Sequence, residues 1–335
     1  MLNGTTGGED GGLTDIRMHK RGGPERAALV QAMLGRYRVD YDRSANVLYP
    51  RCDTGLFSNC SFTLAALIHL SHVGVFPQRI DFSHGFGSYK DDDRQRDIYP
   101  DLFRSDELAR TLIPSCWAPY RDIRCPDHHT VYQVLPFWEI DPFIRAYFEP
   151  SDTVRALVSA MVDKYQIDLP STIGLCYRGT DKSTEVSVAQ PEDYVRAVLP
   201  FCRDGVRVLV QTDQAQAKEL FMARIPNSFA LEEMPTTTSG TVLHKFDSSA
   251  LQMKKLDFAK QVLATTALLA HCGRIVNHCG NMALWIALLR GNANGMAQFD
   301  QKGRLVGPGL VLAARLKNAL RRVRRWARGD IAYYA

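Results

Sequence analysis

The sequence predicts an α/β protein built in two units, the second a doubly wound parallel sheet. Three observations lead there. At 335 residues and 45% hydrophobic content, the chain exceeds one small core and suits two domains. Between Thr172 and Phe299, short apolar runs alternate with stretches of helical period, the pattern of consecutive βα units and hence of parallel strands. Three of those runs end in ionisable or small polar residues, at the carboxyl ends where open α/β sheets hold ligands.

Residues 1 to 25 hold seven glycines and no apolar period, so they are expected to form a disordered arm. A first α/β unit follows over 26 to 165. It offers a strand at Asn46 to Tyr49, a turn at Asp53-Thr54-Gly55, a helix from Asn59 to Val73 and a strand at Ile80 to Phe82. Ser83 to His129 has no clear period. Val154, Leu157, Val158 and Met161 recur at helical spacing from Ser151 to Tyr165, with Ser151 and Asp152 placed to cap the start. The second unit, 166 to 305, takes strands near 172–177, 206–212, 228–232, 274–278 and 295–299, with helices near 191–202, 214–224, 256–271 and 281–290. Met234 to Ser249, rich in Thr and Ser, is a long loop of the kind that binds or covers ligands.

The last stretch, 306 to 335, is a basic amphipathic helix. Leu312, Leu316, Ala319, Leu320, Val323 and Trp326 share one face, while Arg315, Lys317, Arg321, Arg322, Arg324, Arg325 and Arg328 supply cations. Such a helix either lies on an anionic membrane through 310–328 or packs its apolar face back on a domain. Nucleic acid is not expected as a partner, because the basic patch is confined to one tail without interleaved stacking aromatics. No run approaches the roughly 18 apolar residues of a membrane span, and the start lacks the order of a signal peptide. The expected location is cytoplasmic, with peripheral attachment at the inner face of the membrane as the tail's contribution.

The eight cysteines follow no ladder of spacings and are expected to be mostly reduced and buried. His271, Cys272, His278 and Cys279 are zinc-ligand types, but at a spacing that fits no familiar site, so no metal is expected. Gly174 to Gly179 has the glycine spacing of a P-loop. It fails because Lys182 arrives two residues late and the intervening residues continue an apolar strand.

Chemistry concentrates at three strand ends, which a parallel sheet brings to one edge. The first is Arg178-Gly179-Thr180-Asp181-Lys182 with Glu185 beyond it; the second is Asp213; the third is His278-Cys279-Gly280-Asn281. Gly280 and Asn281 open a helix, whose free N–H groups and dipole favour an anion such as phosphate, or else form an ordinary cap. Asp213 either accepts hydrogen bonds from a ribose or base or caps the helix that follows.

The order and spacing of these motifs resemble the fucosyltransferase superfamily of the nodulation and core α1,6 type and the protein O-fucosyltransferases. The family strand ends in His-x-Arg-Arg-Thr-Asp-Lys; here it reads Cys176-Tyr177-Arg178-Gly179-Thr180-Asp181-Lys182. Cys176 stands for the histidine, Gly179 for the second arginine, and Glu185 falls one residue early. Gln211-Thr212-Asp213 and His278 to Trp285 resemble the second and third motifs. Gly55-Leu56-Phe57-Ser58-Asn59 is similar to the Gly-x-Phe-Gly-Asn loop that approaches the donor phosphates in protein O-fucosyltransferases.

This resemblance implies a GT-B-like fold of two Rossmann-like domains, the first on the acceptor side. It implies an inverting transfer of fucose from GDP-fucose to a glycan hydroxyl, with neither metal nor cofactor. Catalysis would fall to Arg178, Glu185, Asp181 and Lys182, with Glu185 as base and Asp181 as base or as a support for Arg178. Donor binding would fall to Arg178, Asp213, His278, Gly280, Asn281, Gly55, Ser58 and Asn59. A different nucleotide sugar on the same fold, or a non-catalytic nucleotide- or sugar-binding protein, remain the competing expectations.

Overall fold

The computed structural model describes residues 34–35, 37–72, 74–115, 129–180 and 189–327. The arm expected over 1 to 25 lies outside them. The first unit opens with β1 (Val39–Asp42) and β2 (Val47–Pro50), an antiparallel hairpin. Its turn is held by Asp42 Oδ1, which accepts from the N–H groups of Ser44 (2.8 Å) and Ala45 (3.1 Å). Helix α1 (Leu56–His72) begins three residues before the expected Asn59, directly after Gly55, and is buried on nearly every side. β3 (Arg79–Ile80) pairs parallel to β2 and completes a three-stranded sheet.

The first part of the stretch without sequence period, Ser83 to Arg94, is held by side chains. Lys90, buried, donates to the carbonyls of Phe82 (2.5 Å), Ser83 (2.9 Å) and Arg94 (3.1 Å), satisfying a loop that no ladder serves. Short elements follow: α2 (Tyr99–Leu102), β4 (Phe103–Arg104), α3 (Glu107–Ser115), α4 (Phe137–Tyr147) and β5 (Glu149–Pro150), which pairs antiparallel to β4. Helix α5 (Asp152–Tyr165) is capped as predicted, Ser151 Oγ accepting from Val154 N at 3.3 Å.

The second unit is the predicted βα alternation. β6 (Ile173–Tyr177), α6 (Pro191–Val198), β7 (Val208–Thr212), α7 (Ala215–Arg224) and β8 (Ser228–Ala230) lead through α8 (Ser248–Leu251) to α9 (Lys255–His271). β9 (Arg274–His278), α10 (Asn281–Arg290) and β10 (Met296–Phe299) complete it. All pairs are parallel, in the order β10-β9-β6-β7-β8.

Side chains alternate across this sheet and bury both faces, as a parallel sheet requires. Leu175, Tyr177, Val210 and Val276 pack with Tyr194 and Val198 of α6 and Phe221 of α7. Cys176, Leu209, Ile275 and Met296 face the other way, into a core shared with α9, α10 and the first unit. Gly174 sets how closely α9 approaches: a Cβ there would sit 2.7 Å from Leu269 Cδ2 and 2.9 Å from Ile275 Cδ1. On the same face, Gln211, Cys176, Asn277 and Gln298 form one cross-strand row. Gln298 binds the first unit, its Oε1 accepting from Tyr132 N (2.9 Å) and its Nε2 donating to Thr130 O (2.8 Å).

Helix α11 (Pro308–Ala327) forms as predicted and touches the turn Tyr132–Val134. Its apolar face does not pack back on the protein: Leu312, Leu316, Leu320 and Val323 are 56–59% exposed. Five of the six described cysteines are buried; Cys116 and Cys125 lie outside the described residues.

Candidate functional site

The chain leaves β6 toward β7 and β8, then returns to the opposite side of β6 for β9 and β10. The crevice therefore opens where strand order reverses, between the carboxyl ends of β6 and β9. Both ends are on the predicted list. A narrow cleft of about 20 Å³ lies there, lined by Cys176, Arg178, His278, Gly280 and the first residues of α10.

Arg178 is fixed by Asp213, which the structure brings beside it from the end of β7. Asp213 Oδ2 accepts from Arg178 Nε (2.8 Å) and Thr180 Oγ1 (2.8 Å), and Oδ1 accepts from Gly179 N (3.1 Å). Asp213 is 5% exposed, while the Arg178 side chain is 34% exposed. A buried carboxylate thus orients a partly exposed guanidinium, and both of its oxygens are engaged in doing so. This adds a role to the two expected for Asp213, ligand contact or helix cap; of these, the cap position of α7 is held by Gln214.

Gly179 is closely enclosed, since a Cβ would collide with Gln214 Oε1 and lie 2.6 Å from Tyr177 Cε1. A larger side chain there would have to displace the Gln214 amide and the Tyr177 ring edge. Cys176, in the place of the family histidine, is buried, and burial pushes its thiol up to about 12, partly offset by the Arg178 charge. It is a neutral apolar wall, 3.9 Å from Met282 Sδ.

At the end of β9, His278 Nδ1 lies 2.8 Å from the carbonyl of Cys279, which can only accept, so Nδ1 carries the proton. Its Nε2 is buried and has no partner among the described residues. The N–H of Gly280, expected to be an available donor, instead donates to Tyr132 Oη (3.1 Å), which returns a bond to Gly280 O (3.1 Å). The first helical bond of α10 runs from Leu284 N to Gly280 O (2.8 Å). The amides that precede it in the helix are those of Asn281, Met282 and Ala283, one residue further on than expected.

The Gly55 loop reaches the same region from the first unit. Asn59 is fully buried and structural: its Oδ1 accepts from Thr54 N (3.2 Å) and Thr54 Oγ1 (2.6 Å), and its Nδ2 donates to Thr54 O (3.3 Å). Ser58 N donates to Gly55 O (2.9 Å), and Leu56 N donates to Tyr89 Oη (2.7 Å). Burial pushes the Tyr89 hydroxyl up, offset by the Leu56 bond and by the charge of Arg178, which acts across the crevice. His244, on the Met234 to Ser249 loop, stands beside both Gly55 and Tyr89. Ser61 of α1 accepts from Trp285 Nε1 (2.9 Å) and lies 3.2 Å from Asn281 Oδ1, locking α1 to α10 at the crevice.

The structure thus brings Arg178, Asp213, His278, Gly280 and Asn281 to one sheet edge. Asp181, Lys182 and Glu185 lie outside the described residues. His271 and Cys272 sit at the opposite end of β9 from His278 and Cys279, separated by the whole strand. Tyr132 and Tyr89 are additions that the sequence reading did not name; Thr180 lay inside the quoted strand-end motif and His244 inside the Met234 to Ser249 loop, neither with a role of its own.

No family model and no curated protein matches the chain. Among solved structures, the chain is similar to NodZ α1,6-fucosyltransferase co-crystallized with GDP, at 15% identity and TM-score 0.49 over 78% of this chain and 96% of that one. It is also similar to fucosyltransferase NodZ from Bradyrhizobium (14%, 0.49, 78% and 96%) and to NodZ α1,6-fucosyltransferase soaked with GDP-fucose (15%, 0.46, 78% and 97%).

Proposed function

We propose that the chain is an inverting, metal-independent glycosyltransferase that holds the diphosphate of GDP-fucose in the β6/β9 crevice and moves fucose onto a glycan hydroxyl. One observation carries the reading: a guanidinium oriented by a buried carboxylate stands at the strand-order reversal, beside a helix N-terminus and a buried imidazole nitrogen with no partner among the described residues. Breaking the sugar–phosphate bond drives negative charge onto the leaving diphosphate. Without a metal, that charge needs fixed donors, and pre-oriented ones cost no reorganisation during reaction. Arg178 supplies a permanent cation with paired donors; the amides of Asn281 to Ala283 add a helix N-terminus. His278 lines the same cleft and is assigned to donor binding with them.

The acceptor oxygen attacks the anomeric carbon as the bond to phosphate breaks, and a carboxylate takes the hydroxyl proton. Glu185 is assigned this role, with Asp181 in reserve and Lys182 beside them, on the sequence resemblance. Gly55 and Ser58 close the phosphate side from the first unit, while Asn59 keeps that loop in shape.

A second reading is a nucleotide-sugar-binding protein without turnover. It is favoured by the neutral Cys176 and the enclosed Gly179, where the resembling family carries ionisable side chains. A donor screen in EDTA separates the two. Release of GDP from GDP-fucose, and not from other nucleotide sugars, is the expected result; GDP binding with no hydrolysis or transfer of any GDP-sugar selects the binding protein.

A further inference from the structure

We propose that helix α11 is a docking surface for an anionic membrane. Four large apolar side chains, Leu312, Leu316, Leu320 and Val323, stand at helical spacing and are 56–59% exposed. The helix runs 20 residues, or about 30 Å. It touches the body at the Tyr132–Val134 turn, and its half-buried residues Leu310, Val311, Ala314 and Asn318 fall on the side opposite the stripe. The stripe therefore points away from the protein. Arg315, Lys317 and Arg324 are exposed and fall at the margins of that stripe, Arg315 on one side and Lys317 and Arg324 on the other.

Charge selects the partner. From Gln301 to Gly329 the sequence holds nine cations and no carboxylate; the whole chain is +5, so the remainder is net acidic by four. A helix that is apolar on one face and cationic at its margins matches a surface that is apolar below and anionic above, which is a bilayer with acidic headgroups. A second copy fits worse: stripe-to-stripe pairing would set two rows of cations together with no carboxylate on either helix. A nucleic acid would engage the cations and leave the four apolar side chains in water.

The test is flotation of the full chain with vesicles of phosphatidylcholine alone and with 30% phosphatidylserine. Binding is expected to need phosphatidylserine, to weaken in high salt, and to fall at least tenfold in Leu316→Asp/Leu320→Asp. GDP binding and the circular dichroism spectrum of that variant should be unchanged. Arg315→Glu/Lys317→Glu/Arg324→Glu should lose binding while keeping the stripe. Equal flotation with both vesicles, or with and without the substitutions, overturns the proposal. So does a wild-type dimer that the Leu substitutions convert to monomer without any vesicle binding, or a duplex oligonucleotide that binds more tightly than vesicles.

Discussion

Asp213 is a positioning residue for Arg178, and its effect should be visible only through that arginine. The carboxylate accepts from Nε at 2.8 Å and also fixes Gly179 and Thr180, so Asp213→Asn loosens the guanidinium without removing its charge. Hydrogen bonds to charged groups contribute about 1.5–3 kcal/mol, so turnover should fall roughly ten- to hundredfold. In a double-mutant cycle, Arg178→Ala/Asp213→Asn should be no slower than Arg178→Ala alone; additive losses would assign Asp213 an independent role. Arg178 was legible in the sequence because an apolar run delivers it to a strand end. Tyr132 and His244 were not, because each reaches the crevice by tertiary contact from a stretch with no period of its own.

At the scale of elements, the strands of the second unit were legible because a strand buried on both faces is an unbroken apolar run. β4 and β5, two residues each, leave no period to read, and β1 alternates too weakly; β3 was expected over Ile80 to Phe82 and lies at Arg79–Ile80. The early start of α1 follows from Asn59 holding Thr54, which shapes the Gly55 turn from inside the helix. Between α9 and β6 the spacing depends on Gly174. Gly174→Val forces side-chain atoms into Leu269 and Ile275, and overpacking of this kind costs about 1–3 kcal/mol. The urea midpoint should fall accordingly, with GDP affinity retained once folded; an unchanged midpoint would mean that α9 can retreat without cost.

The molecule as a whole is held by a core that runs from Leu34 in the first unit to Met296 in the second. Sequence reading separated two units because the length suits two domains and a regular βα alternation begins near Thr172; it could not show that α1, α9 and α10 share one interior. Burial in that interior pushes the thiols of Cys176 and Cys272 up to about 12 and raises Cys60 as well, from an ordinary 9.0. Above pH 9 the unfolded chain loses thiol protons that the folded chain keeps, so stability should fall as pH rises, by at most about 1.4 kcal/mol per pH unit for each thiol. Cys52 and Cys202, also raised by burial, act in the same sense, and Lys90, lowered by burial, acts in the opposite one. Urea midpoints at pH 8 and pH 10 check the sign, and Cys60→Ala/Cys176→Ala/Cys272→Ala should flatten the decline. The crevice itself is lined by Cys176, Arg178, His278 and the start of α10, and the first unit is tied to it by Ser61, which meets Asn281 and Trp285. Calorimetric titration of GDP and of guanosine into the wild type and Arg178→Ala tests most directly whether it holds a diphosphate. The account predicts that the variant loses at least tenfold in GDP affinity and little for guanosine; GDP bound equally well by both proteins would contradict it.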